Sequence, residues 1–487
     1  MSNYKSLFKQ TLIYGLATVL PRIISFLLNP LYVSFLPNKS TMGEVSILFS
    51  YLVFFNVVLS YGMETAFFRF YNSETNKKSV ISTTTISILA SSFLFLGLAL
   101  GNAKLLASWS DFGLVTIIYT IFILFFDALC IVPFSKLRAE KKPMKYALIK
   151  ITNVVINLLL TIFFLVWLPQ LIKQNPLHFL SQIYSPNFQI GYIFISGLVA
   201  SALSFIMLLP NYFQISWQFD RQLWKKMMRY GLPILVSGIA FAINEHFDKI
   251  LLGWMNVPKS DIGAYAACYK IGMFMVLFRT AYTLGIEPFF FSHASSANAP
   301  QTYATITKYF VIFGSFICLF VIVFIDLLKV PLVPKAEYWN AIQVVPLIVV
   351  ANFFLGIYTN LSVWYKLIDK TYVGAYISIL GAVITLLLNY LLIPTLSFYG
   401  SAIATIAAYG IMMIVSYKLG QKQYPIPYDF KTIFSYLSIT ILLSSISFYV
   451  PLLRENYYFK TLIILFFLSF IYKNEKNLIH KIVFRRK

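Results

Sequence analysis

The chain has 487 residues, of which 59% are hydrophobic and only 11% are charged, and its mean hydropathy is +0.76. Because an ordinary soluble domain is about 25% charged, this composition excludes a string of soluble domains and makes a lipid bilayer the solvent. The net charge of +22 does not predict a nucleic-acid partner, since the basic residues are scattered over short loops between apolar runs.

Fourteen apolar runs follow one another along the chain. Hydrocarbon offers no hydrogen-bond partner to the backbone, and the runs are continuous where barrel strands would alternate, so we predict an all-α integral membrane protein with 14 transmembrane helices. The first run is too long for a signal peptide and is expected to remain as a span. The predicted spans are residues 11–36, 43–68, 80–101, 113–134, 146–168, 188–210, 231–255, 262–291, 305–328, 341–365, 372–394, 398–417, 432–451 and 459–472.

The basic residues indicate the orientation of these spans. If the N-terminus is cytoplasmic, 27 of the 39 Lys and Arg residues fall on the inner face, 8 on the outer face and 4 within spans. Such an excess marks the cytoplasmic side, so both termini are predicted to be cytoplasmic. The loops are too short to hold a soluble nucleotide-binding or catalytic domain.

The sequence contains an internal repeat. Tyr14-Gly15-Leu16 at the start of span 1 matches Tyr230-Gly231-Leu232 at the start of span 7, and PNKSTMG at residues 37–43 matches PKSDIG at 258–263. Span 2 ends in GMETAFF and span 8 in GIEPFFF. Because six spans separate the copies, they share one orientation, as in transporters built from parallel lobes. We therefore predict two parallel six-helix lobes, at residues 1–210 and 211–417, followed by two C-terminal helices and a basic cytoplasmic tail at 418–487.

Charged residues inside spans are the candidate functional groups, because each costs about 2.5 to 3.5 kcal/mol at the bilayer centre and normally faces a bundle interior or a wet cavity. Asp326, near a helix end, is interpreted as snorkelling to the interface. The other nine are Arg22, Glu64, Asp127, Glu245, Asp248, Lys249, Lys270, Arg279 and Glu287.

Arg22 follows Pro21 near the middle of span 1. A proline frees a backbone carbonyl and lets the helix bend, and the planar guanidinium suits a phosphate. Arg22 is therefore predicted either to contact a phosphorylated substrate or to form a structural ion pair with Glu64 or Asp127.

The spacing of the charges on spans 7 and 8 predicts further roles. Glu245 and Lys249 are four residues apart and are predicted to pair, which leaves Asp248 as the carboxylate for a proton or cation. Lys270 and Arg279, nine residues apart, point to opposite helix faces, so Arg279 is favoured as cavity-lining. Glu287 can share the face of Arg279 as a gate or as a helix-end anchor, and Glu64 and Asp127 are further gating or coupling candidates. His246 has no second His or Cys at ligand spacing, and no metal or other cofactor is predicted.

The whole chain resembles a known family, and two segments carry most of that resemblance. These are the opening FKQTLIYGLATVLPRIISFLLNPLYVSFLP and YGMETAFFRFYN at the end of span 2. With the twelve-plus-two spans, they resemble the polysaccharide transporter (O-antigen, Wzx-like oligosaccharide flippase) family of the multidrug/oligosaccharidyl-lipid/polysaccharide exporter superfamily. The resemblance implies alternating access between two lobes around a central cavity and no enzymatic reaction.

The resemblance also implies a substrate and the residues that bind it. It implies a lipid-linked oligosaccharide, a polysaccharide repeat unit on undecaprenyl diphosphate, that crosses the bacterial inner membrane during lipopolysaccharide synthesis. Basic cavity residues expected in the first and eighth helices are here Arg22 and Arg279, with Lys249 and Lys270 as further candidates. Span 2 departs from the family pattern, since its only arginine, Arg69, lies at the cytoplasmic end. Membrane lipids, H⁺ or Na⁺ and a glycan polymerase are the implied partners.

Two other functions are weighed against this one. A cation-coupled drug antiporter of the same superfamily would need an acidic cavity, which Arg22 and Arg279 oppose. A membrane-embedded polysaccharide polymerase or ligase would need a large outer loop with catalytic residues, but the longest outer loop, 169–187, offers only Lys173 and His178.

Single-cysteine labelling in intact cells tests the topology. We expect a membrane-impermeant reagent to label a cysteine at position 178 and not one at position 141, because only this orientation keeps the basic loops inside. The opposite labelling pattern would refute the orientation.

Overall fold

A computed structural model describes residues 2–174, 179–182, 184–292, 296 and 298–484. Fourteen long helices match the fourteen predicted spans one to one, and no strand occurs in these ranges, which confirms the all-α membrane fold. Twelve of the helices are long and apolar enough to cross a membrane, and Val19–Phe35 of the first is a shorter apolar segment. The chain is a multi-pass membrane protein. Two predicted features, His178 and the last three residues of the basic tail, lie outside the described residues.

The helices are numbered in chain order. Their bounds are α1 Ser2–Phe35, α2 Lys39–Ser73, α3 Lys77–Gly101, α4 Leu114–Ala139, α5 Pro143–Gln174, α6 Gln189–Leu208, α7 Arg221–Trp254, α8 Lys259–Ser292, α9 Ala299–Val323, α10 Val344–Leu361, α11 Thr371–Leu396, α12 Phe398–Gln423, α13 Phe430–Tyr449 and α14 Tyr457–Phe484.

Some helix bounds differ from the apolar runs. Helix α7 begins at Arg221, ten residues before the predicted span, because the Asp220 carboxylate accepts hydrogen bonds from the amides of Gln222 and Leu223 and caps a polar first turn. Helix α2 is interrupted at Gly62, whose φ of +74° suits glycine. Helix α5 contains a π-helical turn at Phe163–Trp167.

The chain forms two compact units. The first contains Met1–Ala267 and Ser378–Ser401, and the second contains Cys268–Ile377 and Ala402–Lys487. In the first unit, α2 packs on α7, α4 on α6, and α5 on both α1 and α6. In the second unit, α9 packs on α10, α13 and α14. The cysteines Cys130, Cys268 and Cys318 are buried and reduced.

Within the first unit, the first turns of α2 and α8 are in close backbone contact. A Cβ atom on Gly43 would overlap the carbonyl oxygen of Lys259, and one on Gly263 would overlap the carbonyl oxygen of Lys39. Lys39 and Gly43 match Lys259 and Gly263 in the internal repeat, so the contact is reciprocal, as in a two-fold interface. We call this contact the glycine seal.

The glycine seal predicts that alanine substitutions will destabilise the protein there, although they stabilise a helix elsewhere. Gly43→Ala or Gly263→Ala should lower the free energy of unfolding of the purified protein by about 1 to 3 kcal/mol, because the new methyl group must push two backbones apart. Gly97→Ala, inside α3 with open space around it, is the matched control and should raise stability by up to about 1 kcal/mol through helix propensity. Stabilisation by all three substitutions would contradict the close packing.

Candidate functional site

Helix α7 carries three charged side chains within five residues, at Glu245, Asp248 and Lys249. The ammonium group of Lys249 lies 3.0 Å from both carboxylate oxygens of Asp248, and both side chains are largely buried. The Tyr265 hydroxyl of α8 donates a hydrogen bond to the same carboxylate at 2.7 Å, and Lys249 lies over the Tyr265 ring at 5.4 Å. Glu245 lies 3.8 Å from His246.

The predicted roles of Glu245 and Asp248 therefore change. Lys249 forms an ion pair with the neighbouring carboxylate of Asp248, which Tyr265 holds in place from α8. Asp248 is consequently an ion-paired carboxylate in this structure, and it ties α7 to α8. Tyr265 is a functional candidate that the sequence did not indicate, since nothing distinguishes it from the other tyrosines.

Asp127 joins three helices of the first unit. The Ser201 hydroxyl of α6 donates a hydrogen bond to one carboxylate oxygen at 2.7 Å, and the Asn56 amide of α2 donates to the other at 3.4 Å. Neutral donors of this kind hold a carboxylate in position without cancelling its charge. The arrangement is compatible with binding of a proton or a small cation.

The second helix of each repeat carries a matched ion pair at its end. Glu64 of α2 pairs with Arg138 at the end of α4 at 2.7 Å. In the second unit, Glu287 of α8 pairs at 2.6 Å with Lys366, in the short helix that follows α10. All four side chains are about one third to one half exposed. Since α4 and α10 are the fourth helices of the two predicted lobes, the pairs would occupy corresponding places if the chain has the predicted repeat.

The two arginines suggested by the family resemblance lie in different environments. Arg22 lies inside α1 directly after Pro21, with an exposed side chain. Arg279 lies inside α8 and is buried, with 8% of its surface exposed, whereas Lys270 of the same helix is half-buried. Arg22 belongs to the first unit, and Lys270 and Arg279 belong to the second.

Two ion-pair clusters lie at the ends of transmembrane helices and in the segments that connect them. The Lys259 ammonium group donates to Asp111 at 2.7 Å and to Glu44 at 3.2 Å, and its hydrogen bond lowers the pKa of the Asp111 carboxyl. Asp326 lies in the short helix Ile325–Leu332. Burial opposes its ionisation, but the hydrogen bonds from Arg454 and Lys329 outweigh that effect and hold the pKa of Asp326 well below its usual value.

The expectation that Asp326 snorkels to the interface is therefore incomplete. Its carboxylate accepts hydrogen bonds from Lys329, Arg454 and Lys460 and lies at the centre of a cluster. These cations are far from Asp326 in sequence, except Lys329, so spacing could not indicate the group. Among the described residues, no group of three His, Cys, Asp or Glu side chains is placed to hold a metal ion.

Comparison with known proteins gives a family and a fold. The sequence profile of the family described as "Polysaccharide biosynthesis protein" matches residues 7–293, and no curated protein sequence matches the chain significantly. The chain is similar to "Lipid II flippase MurJ, inward closed conformation", with a TM-score of 0.72, 14% identity and coverage of 95% of this chain and 99% of that chain.

A second similar structure is "Inward-facing conformation of a multidrug resistance MATE family transporter of the MOP superfamily". Its TM-score is 0.65 at 14% identity, and the match covers 85% of this chain and 95% of that chain. At these identities, both structures show that the chain shares their fold.

The burial of the α7 charges gives a stability prediction. Asp248→Ala removes the carboxylate that holds a largely buried lysine and should lower the free energy of unfolding by about 3 to 5 kcal/mol. Glu64→Ala removes half of an exposed pair and should lower it by at most about 1 kcal/mol. Thermal unfolding of the purified variants measures both changes, and equal losses would show that burial does not set the cost.

Proposed function

The chain belongs to the polysaccharide biosynthesis protein family, and we propose that it is a flippase that moves a lipid-linked oligosaccharide across the bacterial inner membrane. The observation that carries the proposal is the fold of this family member, which extends over nearly the whole of a solved structure titled a lipid II flippase. The proposed substrate is a polysaccharide repeat unit on undecaprenyl diphosphate, and a glycan polymerase is the proposed downstream partner.

In the proposed mechanism, the lobes at 1–210 and 211–417 alternate between two states, with both termini in the cytoplasm. The glycine seal and the ion pairs of Lys259 with Glu44 and Asp111 would close the cavity between the lobes at one face of the membrane. The pairs Glu64–Arg138 and Glu287–Lys366 would act at the other face, where their exposure makes them easy to open and remake.

Binding of the substrate is assigned to basic side chains. We propose that Arg22 and Arg279 are the main cations for the diphosphate, because a guanidinium donates two parallel hydrogen bonds to a phosphate group. Lys249 and Lys270 add positive charge, although Lys249 must share its charge with Asp248. Asp127 is the carboxylate best supported for coupling to H⁺ or Na⁺, since its hydrogen bonds come from the neutral donors Ser201 and Asn56 and the cation Lys150 acts on it only through space. Asp248 and Glu245 are secondary candidates.

A cation-coupled drug antiporter is the competing function, favoured by the similarity to the MATE transporter fold. The two functions require opposite charges at the substrate site. A drug cation needs exposed carboxylates, whereas the carboxylate of Asp248 is already paired with a lysine. Arginine substitutions therefore distinguish the two functions, since they should abolish glycan export and have no harmful effect on export of a cation.

Replacement of Arg22 or Arg279 by alanine should abolish surface glycan while leaving the protein in the membrane. Replacement by lysine should restore part of the export, because the positive charge remains but the bidentate hydrogen bonding of the guanidinium group is lost. Glycan on the cell surface and protein in the membrane are measured side by side, with Lys104→Ala on an exposed loop helix as the control. Full export by an abundant alanine variant would exclude that arginine from the substrate site, and a loss of folded protein would indicate a structural role.

A further inference from the structure

The second unit contains a cavity of about 680 Å³ beside the turn between α13 and α14. This turn includes the short helix Pro451–Arg454, and the opposite wall is the short helix Ile325–Leu332. The orientation predicted from the basic residues would put this end of the helices on the outer face. The residues that line the cavity are Asp326, Lys329, Gln343, Phe448, Tyr449, Pro451, Arg454, Glu455, Tyr457 and Lys460.

Three cations in this cavity share one carboxylate. Arg454 donates from Nε and Nη2 to the two oxygens of Asp326, at 2.9 Å each, and Lys329 Nζ lies 2.7 Å from one of them. Lys460 Nζ is more distant, at 3.4 Å. Glu455 is exposed and takes part in none of the ion pairs found in the described part of the chain. The lining therefore carries a net positive charge.

The burial of Lys460 makes this excess charge costly. Only 1% of Lys460 is exposed, and removal of an ammonium group from water costs several kcal/mol unless an anion compensates it. Aromatic rings give part of the compensation, since Lys460 itself lies 5.0 Å from the Tyr457 ring centre. Lys329 and Arg454 lie 4.3 Å and 4.4 Å from those of Trp339 and Phe448. Such contacts contribute only about 0.5 to 2 kcal/mol each. An additional anion in the cavity would satisfy the remaining donors.

The surroundings indicate an anion attached to a lipid. The cavity is far larger than a phosphate group, and Gln343, Tyr449 and Tyr457 line it with groups that can bind hydroxyls. Leu452 and Leu462, at the same ends of the helices, are 83% and 62% exposed and offer an apolar surface for acyl chains. Basic pockets between transmembrane helices bind anionic lipid head groups in other membrane proteins.

We propose that the cavity lined by Lys329, Arg454 and Lys460 binds the phosphate-bearing head group of an anionic phospholipid. Arg454 and Lys329 contact the phosphate, the buried ammonium group of Lys460 adds positive charge behind them, and Asp326 holds the cations in position while it limits the affinity. The site is separate from the proposed substrate arginines and does not depend on the proposed transport.

Native mass spectrometry of the full-length protein, titrated in detergent with phosphatidylglycerol or phosphatidylcholine, tests the site. We expect phosphatidylglycerol to bind more tightly, and Lys329→Gln and Arg454→Gln each to lose at least about tenfold in affinity, which is the effect of one charge-assisted hydrogen bond. Arg454→Lys should lose less. Lys104→Gln, which changes an exposed lysine elsewhere, should bind like the unmodified protein.

Asp326→Asn gives a result of opposite sign. Removal of the competing carboxylate should increase the affinity for phosphatidylglycerol, whereas a purely structural ion cluster would only lose thermal stability in either lipid. Equal binding of both lipids by the unmodified protein, or unchanged phosphatidylglycerol binding by Lys329→Gln and Arg454→Gln, would overturn the proposal. Competition by inorganic phosphate as effective as that by the lipid would also overturn it and would identify a site for a soluble anion.

Discussion

Hydrocarbon cannot form a hydrogen bond with a peptide group or solvate a charge, and the rest of this structure depends on that constraint. The backbone satisfies it within each helix. The charged side chains satisfy it in contacts that connect helices, as when Tyr265 of α8 binds the carboxylate of Asp248 on α7 and Ser201 of α6 binds that of Asp127 on α4. The polar residues inside the spans therefore have a structural effect even where they have another role, because each one fixes the register of two neighbouring helices.

The internal repeat determines where these connections recur. Lys39 and Gly43 make the same contact with Lys259 and Gly263 that those residues make in return. A contact of this kind arises when two copies of one segment face each other, and it requires a residue without a side chain at each crossing, since the backbones would otherwise be held apart. The ion pairs Glu64–Arg138 and Glu287–Lys366 are also alike, since each joins a glutamate near the end of one helix to a basic residue of another helix in the same unit.

The fourteen helices could be predicted from the sequence because a long apolar run is stable only where the surrounding solvent is lipid. Prediction from the sequence was incomplete where tertiary contacts compete with local ones. The pairing of Glu245 with Lys249 follows from helix geometry alone, but Asp248 is held in place by a tyrosine from another helix. Helix α7 begins before its apolar run because capping by Asp220 extends a helix independently of hydropathy. Two of the three partners of Asp326, Arg454 and Lys460, lie more than a hundred residues away along the chain, so no spacing rule could indicate them.

The energies of the ion pairs limit what they can do in a transporter of the proposed kind. Exposed pairs such as Glu64–Arg138 and Glu287–Lys366 contribute about 0.2 to 1 kcal/mol each, so the two together stabilise one state by at most about 2 kcal/mol. A shift of a two-state equilibrium from 1:99 to 99:1 requires about 5.5 kcal/mol. These pairs can therefore adjust the balance between states but cannot determine it. The larger part of the free energy has to come from a ligand that binds one state better than the other, either the substrate anion or a coupling cation at a carboxylate such as Asp127.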